Sequence, residues 1–249
     1  MLQFMQIYGN CAITFFLHDT RIRGPVDNIV LKSKEGIRLL VENKYFDYIK
    51  KIIENNAFKI TPRIPSFDGD LNTAYDTNIV RIVHNNPLEP KYLKNLKIRC
   101  DNLKEFLKNI NNKDNYLIYT INLCDIGIKT HKLIGNHFEE NVKYLKKLGL
   151  VDKTIFVATT GRGWLNSKCD DLIPIIKKYN LKYLELHNVK QANESTIEDF
   201  NKLNKIFLQE VEYLLKNGTN KKYLKLKQIK KSKPQINKKE KDRQAYLYF

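Results

Sequence analysis

The chain has no C-x-x-C pair and no closely spaced set of cysteines; Cys11, Cys100, Cys124 and Cys169 are scattered along its 249 residues. That spacing argues against a disulfide-rich scaffold and fits a reducing compartment, so the expected location is the cytoplasm. No apolar run approaches the roughly 20 residues that span a bilayer, so no transmembrane segment is expected. No Lys or Arg precedes the apolar N-terminal stretch, which therefore does not read as a signal peptide. No internal repeat is visible. His131 and His137 are six residues apart, which puts them on different helix faces, so no metal site is expected.

What is present suits a globular protein. The length can bury a full core, and 42% hydrophobic residues is ordinary for such a domain. The net charge of +17 invites a nucleic-acid reading, but it is uneven. Residues 219–249 carry eleven Lys/Arg against two Asp/Glu, or +9, leaving +8 for the other 218 residues. We therefore expect a single α/β domain over 1–218 and a basic, flexible tail over 219–249. The tail predicts weak polyanion binding, with RNA or an anionic membrane surface as the minority alternative.

Strand-like runs alternate with helical spacing. Residues 4–8, 79–83, 116–123, 154–158 and 181–186 read as strands, and the last ends in His187. Helical patterns cover 11–19, two segments between 33 and 53, then 91–110, 137–148, 169–179 and 194–216. Pro174 must sit in a first turn, and Ser195 or Thr196 is a possible cap. Residues 61–77, with two Pro, one Gly and several Asp, read as an irregular excursion or hairpin. The alternation predicts an α/β fold with a largely parallel central sheet flanked by helices.

In such sheets chemistry gathers beyond the carboxyl ends of the strands, and this reading puts Cys11, His84 and His187 there. Cys11 would begin a helix just after a strand, where unpaired N–H groups and the helix dipole favour a thiolate. Gly9 lets the backbone turn, and N–H groups around Gly9 and Asn10 could hold a developing oxyanion. A thiol nucleophile needs a base, and His84 is the first choice, with His187 second. His18 lies two helical turns from Cys11, too far for a direct hydrogen bond. Gly161-Arg162-Gly163 is too short for a dinucleotide fingerprint but could hold an anion, with Arg162 as partner. Asp68-Gly69-Asp70 has the D-x-D form used by some glycosyltransferases, a spacing common in polar loops.

Three short motifs carry a resemblance over residues 5–125. Gly9-Asn10-Cys11 after a strand resembles the opening of a papain-like cysteine peptidase family. Gly24-Pro25-Val26-Asp27-Asn28 is similar to its Pro-Phe-Asp-Trp segment, and Val83-His84-Asn85 to its His-Asp motif. The resemblance implies Cys11 as nucleophile, His84 as base and Asp27 as orienting carboxylate. Val26 and Asn28 replace two aromatics, and Asn85 replaces an acid, so it can orient an imidazole but not stabilise its charge.

The Gly-Asn-Cys opening is similar also to a coenzyme-A-binding family of capsule biosynthesis. The expected activity is thus thiol hydrolysis without a cofactor. The first alternative is acyl transfer from coenzyme A, and the second is a non-catalytic nucleic-acid or surface-binding module. A glycosyltransferase comes last.

Overall fold

The computed structural model describes residues 2–8, 29–31, 33–62, 73–82, 86–122, 131–161, 172–189 and 196–225. Four strands form a wholly parallel sheet: β1 (Gln3–Tyr8), β6 (Asn115–Asn122), β7 (Thr154–Gly161) and β8 (Lys182–Val189), side by side in that order. Four more form an antiparallel sheet in the order β2 (Ile29–Leu31), β5 (Val80–Ile82), β4 (Thr73–Asp76) and β3 (Lys59–Pro62). The helices are α1 (Lys34–Val41), α2 (Tyr45–Glu54), α3 (Pro90–Lys108), α4 (His131–Lys147), α5 (Ile173–Lys178) and α6 (Ile197–Asn217). The expected α/β architecture with a parallel central sheet is present.

The parallel sheet forms because its strands are apolar on both faces, as sheets covered by helices on each side require. In β6, Leu117, Ile118, Tyr119 and Ile121 are all buried, as are Ile155, Phe156, Val157 and Ala158 in β7. Alternation sends Phe4 to one face, where it meets Phe207 of α6 edge-on at 5.3 Å. Tyr119 and Phe156 take the opposite face, where each packs edge-on against Phe138 of α4, at 5.7 and 5.6 Å. Burying each such ring is worth about 1.5–3 kcal/mol, so these contacts fix both helices on the sheet.

Chain direction changes at asparagines. Asn43, Asn56 and Asn180 have φ of 56°, 47° and 47°, a left-handed conformation that Asn tolerates better than most residues. Asn43 separates α1 from α2, which explains the two helices expected between 33 and 53. Pro174 lies in the first turn of α5. Thr196 caps α6: its hydroxyl accepts from Asp199 N at 3.1 Å, while Asp199 Oδ2 accepts from Thr196 N at 3.1 Å.

The hairpin alternative for 61–77 holds, because Lys59–Pro62 runs antiparallel to Thr73–Asp76. Two expectations are corrected. The last strand continues through Val189, so His187 lies inside it rather than beyond its end. The tail does not begin at 219, because Thr219 bonds to β8 and Tyr223 is 7% exposed within the core. Residues 219–225 therefore belong to the packed chain, and the basic residues expected to bind polyanions lie partly in 226–249, outside the described residues. Among the described residues, no helix is long and apolar enough to cross a membrane.

Candidate functional site

The carboxyl ends of the four parallel strands define one edge. Strand register puts Tyr8, Tyr119, Phe156 and Tyr183 in one row across the sheet, with β1 ending there. The next row on the same face holds Ile121, Ala158 and Glu185. Asn122, Thr159 and Leu186 form the row after it, and His187 lies one step further out. His187 is therefore at the carboxyl edge of β8, beyond the level at which β6 ends.

Tyr183, Glu185 and His187 alternate along β8, so all three side chains stand on one face. Tyr183 Oη donates to Glu185 Oε1 at 3.0 Å, and His187 Nε2 lies 3.1 Å from Glu185 Oε2. The Glu185 side chain is 7% exposed and that of His187 47% exposed. A carboxylate withdrawn from water needs such partners, since an unpaired buried charge costs several kcal/mol. The arrangement presents an imidazole to the edge and anchors it from below through a buried acid. Orientation of an imidazole by a carboxylate is what general acid–base chemistry requires.

Two phenols lie one row in from Glu185, in the row of Tyr183. The Tyr8 and Tyr119 rings stack at 4.3 Å with an interplanar angle of 4°, and Asn141 Nδ2 of α4 donates to Tyr119 Oη at 2.8 Å. Burial pushes both phenols above their ordinary range. On the opposite face Gln6 Nε2 donates to Thr120 Oγ1 at 3.4 Å, and the buried Thr159 hydroxyl has no hydrogen-bond partner.

Compared with family models, curated proteins and solved structures, the chain matches none. The site is therefore read from its own residues.

Gly9, Asn10, Cys11, Asp27, His84, Asn85 and Arg162 lie outside the described residues, as do Asp68 and Asp70. Their chain connections are nonetheless informative. Cys11 is three residues past the end of β1, as expected. His84 follows β5, which pairs with β2 and β4 in the antiparallel sheet and not with β1. The strands preceding Cys11 and His84 thus lie in different sheets, and His187 lies in β8, in the same sheet as β1.

Cys100 of α3 is the described cysteine, and burial pushes its thiol up to about 12, which makes it a poor nucleophile. Among the described residues, no group of three or more His, Cys, Asp or Glu is placed to hold a metal ion. Glu185 and Tyr183 were missed by the sequence reading. The signal was there: an acid inside the apolar run Lys182-Tyr183-Leu184-Glu185-Leu186-His187, two residues from a histidine.

Proposed function

We propose that the chain is an α/β enzyme of acyl chemistry, a thiol hydrolase of the papain-like kind, working at the carboxyl edge of its parallel sheet. The observation that carries this reading is the Glu185–His187 pair, a buried acid holding an imidazole at that edge, on the sheet whose first strand leads to Cys11. In this reading the Cys11 thiolate attacks an acyl carbonyl and the imidazole, having taken the thiol proton, returns it to the leaving group. The thioester is then released to water. Release to an acceptor instead would make the protein a coenzyme-A-dependent acyltransferase.

Sheet geometry constrains the dyad. β1 and β8 are three strand spacings apart, about 14 Å, whereas Cys11 is three residues, at most about 10 Å of chain, past β1, so pairing with His187 requires residues 9–11 to run nearly extended toward β8. Otherwise the base is His84, brought in from the second sheet. The test is the rate of Cys11 alkylation by iodoacetamide against pH, in the native protein and in His187→Ala and His84→Ala. A rise well below the roughly 8.5 of a free thiol, moved upward by one substitution, supports the reading and names the base. Cys11 reacting no faster than denatured-state cysteine, whatever the histidines, overturns it. Intact mass after incubation with acetyl-coenzyme A separates transfer from hydrolysis.

A further inference from the structure

We propose that the amino edge of the parallel sheet is a nucleic-acid-binding surface, which holds the phosphodiester backbone without reading bases. It lies at the opposite end of the strands from His187, so it stands independently of the acyl-chemistry reading.

Because β6, β7 and β8 run parallel, the chain returns to one edge before each of them, and α3, α4 and α5 all end there. α6 ends there too, since Thr219, just past it, bonds the start of β8. The last five residues of these helices, with the residues that lead on from them, make four segments: 104–114, 143–153, 174–182 and 213–225. They lie side by side. Lys153 Nζ donates to the Asn112 carbonyl at 2.7 Å, Lys182 Nζ to the Asp152 carbonyl at 2.8 Å, and the Thr219 hydroxyl to the Leu181 carbonyl at 2.7 Å.

The basic charge of the chain is concentrated here. The four segments carry fourteen Lys and no Arg against three Asp/Glu, or +11 of the net +17. Residues 226–249 follow on in the sequence and carry a further +6, so the remaining 181 residues are neutral as a set. Counting Glu139, Glu140 and Glu210, which pair with Lys178, Lys143 and Lys222, still leaves +8. Ten of the fourteen lysines make no ion pair among the described residues.

A lysine in the last turn of a helix complements the helix dipole and needs no ligand. That does not account for Lys113, Lys153, Lys182, Lys221, Lys222 and Lys225, which lie outside the α-helices. Crowded ammonium groups repel one another within a Debye length of about 8 Å. A bound polyanion relieves that repulsion and releases its own counterions. An ammonium is a point charge with no planar fork to match a base edge, so it suits phosphates. The half-buried rings of the edge lie under lysines: Lys146 and Lys178 Nζ are 5.7 and 5.3 Å from the Tyr179 ring centre, and Lys153 Nζ is 5.1 Å from that of Tyr116. These rings support charge rather than stack on bases. An anionic membrane would call for apolar side chains to insert, and the large ones exposed in these segments are Leu148 and Tyr213.

Fluorescence anisotropy of a labelled oligouridylate of about 20 nucleotides, titrated with the full chain between about 50 and 200 mM KCl, tests this. The native protein should show a log–log salt slope steeper than about −3, each phosphate contact adding about −0.7. One exposed lysine is then replaced in each segment: Lys113→Gln, Lys147→Gln, Lys177→Gln and Lys221→Gln together. Binding should weaken about 10-fold or more, with a slope shallower by about 3. Lys51→Gln, Lys59→Gln, Lys94→Gln and Lys202→Gln together remove the same charge elsewhere and should change affinity by less than about 3-fold. Oligothymidylate bound with the same slope supports recognition of the shared backbone.

No binding by the native protein, or binding indifferent to salt, overturns the proposal and needs no variant to fold. A control as weak as the edge variant also overturns it, because net charge alone would then be the cause. An edge variant as tight as native, with binding lost only on replacing the eight Lys/Arg of 226–249, gives the site to the tail instead. Sedimentation with phosphatidylserine vesicles in place of oligonucleotide binding assigns the edge to a membrane and overturns it too.

Discussion

The Tyr144 phenol of α4 donates to Glu42 Oε1 at 2.6 Å, joining the helix over the parallel sheet to the end of α1. The same carboxylate accepts from Lys44 Nζ at 2.7 Å and from Arg38 Nε at 2.8 Å. Nearby, Lys34 of α1 bonds Glu140 of α4 at 2.8 Å. α1 follows β2 of the antiparallel sheet, so these bonds help join the two sheets through their helices.

The first prediction follows from that carboxylate. Hydrogen bonds from Lys44, Tyr144 and Arg38, in that order, lower the Glu42 pKa from 4.5 to about 2. A depressed folded-state pKa stabilises the fold above the unfolded value of 4.5 and loses that stability as pH falls toward 2. Glu42→Gln should therefore flatten the fall of Tm across that window and leave the neutral-to-alkaline limb unchanged in slope. Melting curves collected between those limits decide it. A fall as steep as in the native protein would mean that the three bonds do not persist in solution.

Gly36 of α1 gives the second. A Cβ there would lie 2.9 Å from Leu31 Cδ2 and 3.1 Å from Leu31 Cβ, and Leu31 is buried. Glycine inside a helix ordinarily costs about 1 kcal/mol against alanine. Here the close approach reverses the sign, and Gly36→Ala should destabilise by about 1–3 kcal/mol, the usual cost of overpacking. Urea unfolding measures this, and Leu31→Ala should erase much of the added penalty of Gly36→Ala in a double-mutant cycle.

The Tyr45 hydroxyl is buried and has no hydrogen-bond partner. Desolvation holds its phenol well above its ordinary range. Removing an unsatisfied buried hydroxyl should help, so the third prediction is that Tyr45→Phe stabilises by about 1 kcal/mol. A loss of stability in urea unfolding would reveal a partner for the hydroxyl in solution.

Period and propensity were enough for the core. The apolar runs at 116–123 and 154–158 mark strands buried on both faces, and they became β6 and β7. The same cues could not assign β5, because a short strand carrying β-branched Val80 and Ile82 reads alike in either sheet. Its partners are β2 and β4, chosen by tertiary pairing, so the strand preceding His84 belongs to a different sheet from β1 and β8. Glu185 was hidden for a different reason. An acid in a strand reads as solvent-facing until the sheet is known to be covered on both faces.

The last prediction concerns residues 219–225. A charge run made 219 the expected start of the tail, but Thr219 closes the outer edge of β8. Its hydroxyl accepts from Tyr183 N at 3.0 Å and donates to the Leu181 carbonyl at 2.7 Å, standing in for a neighbouring strand. Four residues on, the Tyr223 ring packs against Tyr183 and its hydroxyl binds Glu210. Truncation after Lys225 should leave Tm nearly unchanged, while truncation after Gly218 should lower it by several degrees and promote association through the opened edge. Thr219→Val removes both hydrogen bonds at nearly constant volume and should cost about 1–3 kcal/mol, with Thr219→Ser close to native. Equal melting of the two truncations would return residues 219–225 to the tail and leave β8 with an open edge.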